Sequence, residues 1–331
     1  MATASEAKYL GDIINEEGNL NNTIEDRCQK GIGIVSQIAS MLNSISLGFI
    51  YIEIGLIFRE ARLINGTLTN SEVWPSLTNA QLESLEAADI DLMRKICNAH
   101  SKTATELFFL ETGKIPVIFV IYKRRLMYIW NVLHASESEL FNKVYSVQTL
   151  KTTRGDWSEV IQTTKEILSI EKTDEEIKGM KKETFRNYVE KKVSIGAFQY
   201  FQTLAKKHSK SEYTWNQGKL EKQKYLEDKR FSRQDIQLLF ALKSRMISVK
   251  TNFRNLHNNN MECQTCDEKS IREDENHILN CENLKTEESV QIDFKLVYGC
   301  LEEQLKAVKI FKKVLRKRET ILEIRNKESQ D

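Results

Sequence analysis

Residues 263–281 read CQTCDEKSIREDENHILNC, and this stretch concentrates the metal-ligand chemistry of the chain. It contains three of the six cysteines and one of the five histidines in 331 residues. The ligand pattern is Cys263-x2-Cys266-x10-His277-x3-Cys281. A C-x2-C turn brings two sulfurs together, and residues at i and i+4 lie on one face of a helical turn. The spacing therefore predicts a zinc site with four protein ligands.

Four protein ligands leave no open coordination position, so the predicted zinc is structural and not hydrolytic. The alternative is four unrelated residues, with Ile278 and Leu279 belonging to an ordinary helix. The other three cysteines are scattered singly, which favours the metal site. Residues 259–284, here called the knuckle, are rich in acidic side chains. We therefore expect the knuckle to pack against protein, with exposed charges such as Asp267 and Glu273 making no contact with phosphate.

The composition predicts a mainly α protein. Glycine and proline number only 13 and 2, and charged residues make up 29% of the chain, so helix breakers are scarce. Residues 8–20 carry strand formers followed by Glu17-Gly18-Asn19, which predicts a short N-terminal β-hairpin with its turn at residues 17–19. Five helices are expected up to residue 135, one of them opening at a capping box of Thr78 and Gln81.

The charge is unevenly distributed along a chain of net charge +2. Residues 1–100 have a net charge of −6, whereas residues 178–230 have fourteen basic and six acidic residues, a net charge of +8. Clustered cations gain free energy when they release counterions from phosphates, so this pattern favours a nucleic-acid partner. The alternative is the solvated face of long helices. Aromatic residues lie between the cations and would stack on unpaired bases: Phe185, Tyr188, Phe198, Tyr200, Phe201, Tyr213 and Trp215.

A long helix is expected from Ser232 to Leu256, with four cations on its exposed face. Another run of three cations, residues 123–125, is a weaker candidate. At least one of these must turn towards the helical bundle and pair with an acid such as Glu106 or Glu111. The candidate nucleic-acid contacts are Lys181, Lys182, Lys191, Lys192, Lys243, Arg245, Lys250 and Arg254, together with Lys123, Arg124 and Arg125.

The termini and the apolar segments predict a protein with no membrane contact. The N-terminus lacks the apolar core of a signal peptide, and the most apolar run, residues 115–130, is interrupted by three cations. We therefore expect an intracellular protein of the nucleus or cytoplasm. Leu301, Val308, Leu315 and Leu322 recur every seven residues, which predicts a C-terminal helix able to dock a protein partner.

Four segments follow one another between residues 8 and 134: KYLGDIINEEGN, NTIEDRCQKGIGIVSQIASML, LINGTLTNSEVWPSLTNAQLESLEAADIDLMRKIC and IPVIFVIYKRRLMYIWNVLH. Their order and spacing resemble the region just after the palm in reverse transcriptases of non-LTR (LINE-type) retrotransposons. The C-x2-C…H-x3-C pattern is similar to the CCHC zinc knuckle of the same proteins. The resemblance covers essentially the whole chain.

This resemblance implies five regions and a partner. They are a primer-grip-like hairpin (1–20), a thumb-like helical bundle (21–135), a basic helical linker domain (136–258), the CCHC zinc knuckle (259–284) and C-terminal helices (285–331). Lys8, Tyr9, Leu10 and Gly11 would match the primer grip. The implied partner is RNA or an RNA–DNA template–primer.

The chain departs from the family in its carboxylates. Polymerisation needs two metal ions held by aspartates, and the chain contains no Asp-Asp pair. Asp89 and Asp91 are expected on the solvated face of a helix. We therefore expect the C-terminal portion of a reverse transcriptase (RNA-directed DNA polymerase family) that lacks the catalytic palm and binds nucleic acid without catalysis. The alternative is a domesticated helical zinc-containing module for protein–protein interaction, which would show no salt-dependent RNA binding.

Overall fold

The computed structural model describes residues 6–9, 12–15, 19–44, 48–150, 156–207, 218–257, 260–266, 270–285 and 293–328. This part of the chain is mainly helical, with one two-stranded hairpin, so the predicted fold class is confirmed. No described helix combines the length and the apolar character that a membrane span requires.

The N-terminal hairpin consists of β1 (Glu6–Tyr9) and β2 (Asp12–Asn15), paired antiparallel with Tyr9 opposite Asp12. The chain therefore reverses between these two residues, and the predicted turn at 17–19 is wrong. The physical reason is the docking of β2 onto the first helix. Ile13 donates its N–H to Thr23 Oγ1 at 2.8 Å and accepts from the same hydroxyl at 3.1 Å, which fixes this strand and its register.

Five helical segments form the N-terminal bundle, as predicted. The second is a continuous run of a 3₁₀ turn (Gly48–Ile50), α2 (Tyr51–Phe58), a π-helical turn (Arg59–Ile64) and α3 (Asn65–Thr67). The other segments are α1 (Asn21–Ser44), α4 (Asn79–Cys97), α5 (Thr105–Thr112) and α6 (Val117–His134). The capping box of Thr78 and Gln81 at the start of α4 is confirmed.

The remaining helices carry the basic middle of the chain, the knuckle and the C-terminus. They are α7 (Leu140–Leu150), α8 (Trp157–Ile167), α9 (Asp174–Lys178), α10 (Lys182–Ala205), α11 (Arg233–Lys243), α12 (Glu275–Asn280) and α13 (Leu301–Glu328). Short 3₁₀ segments lie at Lys224–Leu226, Lys250–His257, Glu282–Leu284 and Phe294–Tyr298.

The predicted helix from Ser232 to Leu256 is too long. Ser232 does cap its start, but α11 ends at Lys243. Arg245 adopts a left-handed backbone conformation with φ of 53°, and Met246 donates its N–H back to the carbonyl of Ala241 at 2.8 Å. A left-handed residue of this kind ends a helix by satisfying its last carbonyls. The cations that follow Lys243 therefore do not continue its helical face.

The prediction that Asp89 lies on a solvated face is also wrong. Arg59 donates to the two carboxylate oxygens of Asp89 at 2.6 and 2.5 Å, and both side chains are buried. The same guanidinium donates to the carbonyl of Ile115 at 2.9 Å. This buried pair joins the π-helical turn, α4 and the start of α6. Asp91 lies on the outer side of α4 and pairs with Lys95.

One hydrophobic core runs through the bundle, the basic middle and the knuckle. Phe108 of α5 stacks on Phe240 of α11 with ring centroids 5.6 Å apart, and Phe109 stacks on Phe201 of α10 at 5.0 Å. Lys243 of α11 also forms a buried ion pair of 2.8 Å with Glu111 of α5. These contacts join α5, α10 and α11, so the helical bundle supports the elements that carry the knuckle.

Candidate metal centre

The four predicted metal ligands come together in one cluster. The ligand atoms of Cys263, Cys266, His277 and Cys281 all lie within 4.8 Å of one another. Cys266 Sγ lies 3.6 Å from His277 Nε2. Cys263 and Cys281 are buried, and the other two ligands are half-buried. The arrangement is compatible with a metal site formed by three sulfurs and one imidazole.

Backbone pairing positions the first two ligands. Glu262 and Arg272 form an isolated antiparallel bridge, and on either side of it Cys263 donates to the carbonyl of Ile271 and Glu273 donates to that of Met261, each at 2.8 Å. The segment with Cys263 is thereby held beside the segment that leads into α12. The C-x2-C turn follows directly from this paired segment.

Thr265 lies between the two cysteines of the turn and contacts two ligand sulfurs. Its backbone N–H donates to Cys263 Sγ at 3.4 Å. Its hydroxyl oxygen is 3.2 Å from Cys263 Sγ and 3.5 Å from Cys281 Sγ, and the side chain is buried. The turn therefore provides two of the ligands and a buried polar residue that contacts the sulfurs of Cys263 and Cys281.

The second pair of ligands lies at α12. Asp274 caps this helix by accepting the N–H of His277 at 2.7 Å, and Cys281 follows the last helical turn. Ile278 and Leu279 are fully buried in the core. The segment is therefore both an ordinary packed helix and part of the candidate metal site. One side of α12 packs in the core, and the ligands His277 and Cys281 lie outside that side.

The prediction that Glu273 is an exposed loop charge is wrong, and Asp267 lies outside the described residues. Glu273 is fully buried, and its carboxylate accepts three hydrogen bonds. The donors are Arg318 Nη2 of α13 at 2.6 Å, the backbone N–H of Gln264 at 3.0 Å and that of Lys250 at 3.3 Å. A buried carboxylate needs such donors, because desolvation without them is costly. Glu273 thus joins the ligand turn to α13.

A second arginine of α13 binds the ligand turn through its backbone. Arg325 donates from Nη1 to the carbonyl of Gln264 at 2.6 Å and from Nη2 to that of Thr265 at 3.1 Å. Arg318 also donates to the side-chain oxygen of Gln264 at 3.2 Å. The turn between Cys263 and Cys266 is therefore fixed by two side chains of the C-terminal helix. This is the packing against protein that the acidic charge of the knuckle predicts.

The predicted exposed basic face of residues 243–254 is not present. Lys243 is buried in its pair with Glu111, and Lys250 is buried as well. Arg245 is half-buried and donates to Glu275 at 2.9 Å. The physical reason is the early end of α11, which turns these cations into the protein. The side chain of Arg254 lies outside the described part of the structure.

The run of cations in α6 is also largely engaged. Lys123 pairs with Glu190 at 2.7 Å, and Arg124 donates to Asn65 Oδ1 at 2.8 Å and to the carbonyl of Leu68. Arg125 turns inward, as predicted for one of the three. Its partners, however, are the carbonyls of Trp74 at 3.1 Å and Pro75 at 2.9 Å, and Glu111 pairs with Lys243 instead.

Among the four predicted linker lysines, three are exposed and two contact other groups of the chain. Lys181, Lys182 and Lys191 are exposed. Lys182 donates to Asn131 Oδ1 at 3.1 Å and lies 5.3 Å from the ring centroid of Trp130. Lys192 is half-buried and donates to the carbonyl of Ser169 at 2.6 Å.

The prediction of a base-stacking surface in this region is wrong for three of its aromatics. Phe185, Phe198 and Phe201 are buried in the core because α10 packs them against the helices of the N-terminal bundle. Tyr200 is 43% exposed and Tyr188 is half-buried. Tyr213 and Trp215 lie outside the described residues. The cations of this region therefore remain as candidates for phosphate contacts, whereas three of the five described rings are not accessible to bases.

The predicted primer-grip residues are only partly described. Lys8 in β1 is exposed and lies 3.0 Å from Asp26. Tyr9 ends the same strand, and Leu10 and Gly11 lie outside the described residues. Three of the four heptad residues of α13, Leu301, Val308 and Leu315, lie in this chain's own core or pack against it. Val308 is buried, and Leu301, Leu315 and Leu322 are half-buried.

No family model, curated protein or solved structure matches this chain. The resemblance to non-LTR reverse transcriptases therefore rests on the order of its motifs.

Proposed function

We propose that the cluster binds one structural zinc ion. Three thiolates and one imidazole form a ligand set typical of structural zinc sites, whereas magnesium and calcium take oxygen ligands. Zinc–sulfur and zinc–nitrogen bond lengths place two ligands of one tetrahedral ion about 3.6 Å apart. Cys266 Sγ and His277 Nε2 have this separation, 3.6 Å. Four protein ligands leave no position for a reactive water, so the ion would fix the ligand turn to α12.

We further propose that the chain is the C-terminal portion of a non-LTR retrotransposon reverse transcriptase and binds template RNA or an RNA–DNA template–primer. One observation supports this proposal above all. A hairpin, a helical bundle, basic helices and a Cys/His cluster follow one another in the order that the resemblance implies. In this function the basic helices hold nucleic acid, the bundle supports them, and the zinc site fixes the C-terminal elements.

The described carboxylates of α4 favour binding without polymerisation. Asp89 is committed to a buried pair with Arg59, and Asp91 pairs with Lys95. Neither is placed to hold the two metal ions of a polymerase. We therefore expect primer extension by this chain with Mg²⁺ or Mn²⁺ to remain at background. Template-dependent extension above background would contradict this part of the proposal.

Salt-dependent binding tests the proposed partner. The full chain, titrated with a fluorescent RNA or RNA–DNA hybrid, should bind with a log–log salt slope corresponding to several phosphate contacts. A variant with Lys181→Gln and Lys191→Gln should bind more weakly and with a flatter slope. A matched variant with Lys30→Gln and Lys102→Gln removes two other exposed charges and should bind like the wild type. Absence of salt-dependent binding by the wild type would contradict the proposal.

One surface favours the alternative function, a module for protein–protein interaction. Helix α7 exposes Leu140, Val147 and Leu150 by 76%, 66% and 87%, and Val144 by 46%. Apolar side chains clustered on one exposed helix are typical of protein contacts. This function predicts that charge-neutral changes such as Val147→Ser abolish partner binding, while affinity for RNA is absent in the wild type.

A further inference from the structure

The C-terminal helix α13 presents a continuous basic face to solvent. Residues 306–318 contain seven basic residues and no acidic one. Five of these cations are exposed. They recur at spacings of three or four residues, so they lie along one side of the helix. We call these residues the basic face: Lys306, Lys309, Lys313, Arg316 and Lys317.

The basic face is unusual in a chain that elsewhere pairs its cations. Lys123, Lys165 and Arg230 each lie within 2.8 Å of a carboxylate on another element or turn. Within the described part of the chain, by contrast, Lys306, Lys309 and Arg316 make no ion pair. Lys317 donates to the carbonyl of Lys285 at 2.9 Å, which leaves its charge uncompensated by that contact.

Neighbouring cations on this face repel each other. The steps from Lys306 to Lys309, from Lys309 to Lys313 and from Lys313 to Arg316 all join like charges at i,i+3 or i,i+4, an arrangement that destabilises a helix. The helix is instead stabilised by its opposite side, which buries Val308, Phe311 and Val314 in the core. A polyanion bound to the face would remove the repulsion.

Three further cations of α13, outside the basic face, fix the orientation of the helix. Lys312 pairs with Asp235 of α11 at 2.6 Å, and Arg318 and Arg325 bind the ligand turn of the knuckle. The cations of one helix therefore divide into two groups. Inward cations hold the helix on the metal centre and on α11, and outward cations form a surface of fixed geometry.

We propose that the basic face of α13 binds the phosphate backbone of a nucleic-acid duplex. This rests on the proposed function and names a contact surface for it. The face extends over eleven residue steps, about 16 Å of helix at 1.5 Å per residue. A duplex carries one phosphate charge per about 1.7 Å of its axis, so several phosphates of one side lie opposite such a face. The one aromatic side chain between residues 306 and 317, Phe311, is buried, so the contact is to backbone and does not involve base stacking.

A triple substitution tests the proposal on the full chain with its metal. Lys306→Gln, Lys309→Gln and Arg316→Gln remove three exposed charges and leave the inward contacts intact. The control is Lys30→Gln, Lys102→Gln and Lys143→Gln, which removes three exposed charges from other helices and loops. Binding of a short RNA–DNA hybrid is measured between about 50 and about 200 mM salt. Metal content and thermal unfolding of each variant are measured in parallel.

The triple variant should bind the hybrid roughly tenfold or more weakly at about 0.1 M salt, with a salt slope flatter by about 2 to 3, since each phosphate contact contributes about 0.9. The control variant should keep the wild-type affinity and slope. If the wild type binds but the triple variant is unchanged, the inference is overturned and the proposed function stands. If the wild type does not bind, both fail. Displacement of the hybrid by polyglutamate at equal charge concentration would make the face a site for acidic protein and would also overturn the inference.

Discussion

Glu86 is a carboxyl group whose ionisation the fold opposes. Burial raises its pKa from 4.5 to about 7, and the nearby carboxylate of Asp89 adds to the effect. The folded state therefore binds more protons than the unfolded state between these two values. The contribution of Glu86 to the free energy of unfolding is fully present below pH 4.5, and it is lost as the pH rises through about 7. Above pH 7 the group is ionised in both states, so it adds no further pH dependence to the free energy of unfolding.

Replacing Glu86 by Gln should remove that pH dependence. Between pH 4.5 and pH 7 the wild type should lose roughly 3 kcal/mol of unfolding free energy relative to the variant, since each pKa unit corresponds to about 1.4 kcal/mol. Denaturant titrations of both proteins at several pH values measure this difference. Glu83, which lies exposed on the same helix, is the matched control, and Glu83→Gln should follow the wild type. Parallel pH profiles for wild type and Glu86→Gln would contradict the assignment.

The buried pair of Lys243 and Glu111 gives a second prediction at the scale of the residue. Lys243→Met leaves the Glu111 carboxylate buried without its cation, which should cost about 3 to 5 kcal/mol of unfolding free energy. The double variant with Glu111→Gln should recover part of that loss. Denaturant titration measures both variants. RNA affinity per folded molecule should not change, since Lys243 does not reach the surface. A loss of affinity in a stably folded Lys243→Met variant would contradict this role.

These residues also mark a limit of inference from sequence. Lys243 and Glu111 lie 132 positions apart, so no local pattern indicates that they meet. Charge and helical spacing place Lys243 correctly on α11 but cannot distinguish a solvated cation from one paired in the core. The four metal ligands can be predicted from the sequence, because their C-x2-C and H-x3-C spacing is typical of residues that bind one metal ion. Sequence therefore predicts the candidate site but not the partners that surround it.

At the scale of the element, the contact between α13 and the knuckle is the critical one. The Glu273 carboxylate is fully buried, and Arg318 supplies its charged donor. Arg318→Met should therefore destabilise the protein by about 3 to 5 kcal/mol, and Glu273→Gln by a similar amount. The two effects should not add, because the second change removes the charge that the first left unpaired. Thermal or denaturant unfolding of the four proteins in a double-mutant cycle measures the coupling. Additive effects would show that the pair does not hold the two elements together.

Helix starts were more predictable than helix ends and turns. The capping box of Thr78 and the cap at Ser232 have local signatures, and both are present. The end of α11 depends on Arg245 in a left-handed conformation, for which arginine has no preference. The hairpin register depends on Thr23 of α1, eight positions beyond the end of β2, so a turn signal at residues 17–19 was misleading. The basic face of α13 is not among the predicted nucleic-acid contacts, although residues 306–318 contain seven cations and no acid.

At the scale of the whole molecule, composition predicts a mainly helical chain, and the structure confirms it. What composition cannot predict is that the bundle, the basic middle and the knuckle share one core. Phe108 and Phe240, for example, stack across that core from α5 and α11. A metal at the knuckle would therefore act on more than its own loop. It would fix the ligand turn, through that turn α13, and through α13 the basic face.

The zinc content of the purified full chain tests the central claim most directly. Elemental analysis should find one zinc per chain in the wild type and in Cys300→Ser, whose cysteine is exposed and lies outside the cluster. Cys281→Ser should bind far less zinc, and its thermal unfolding should shift to lower temperature, because the ion binds the folded state. Wild-type protein without zinc, or full zinc content in Cys281→Ser, would contradict the account.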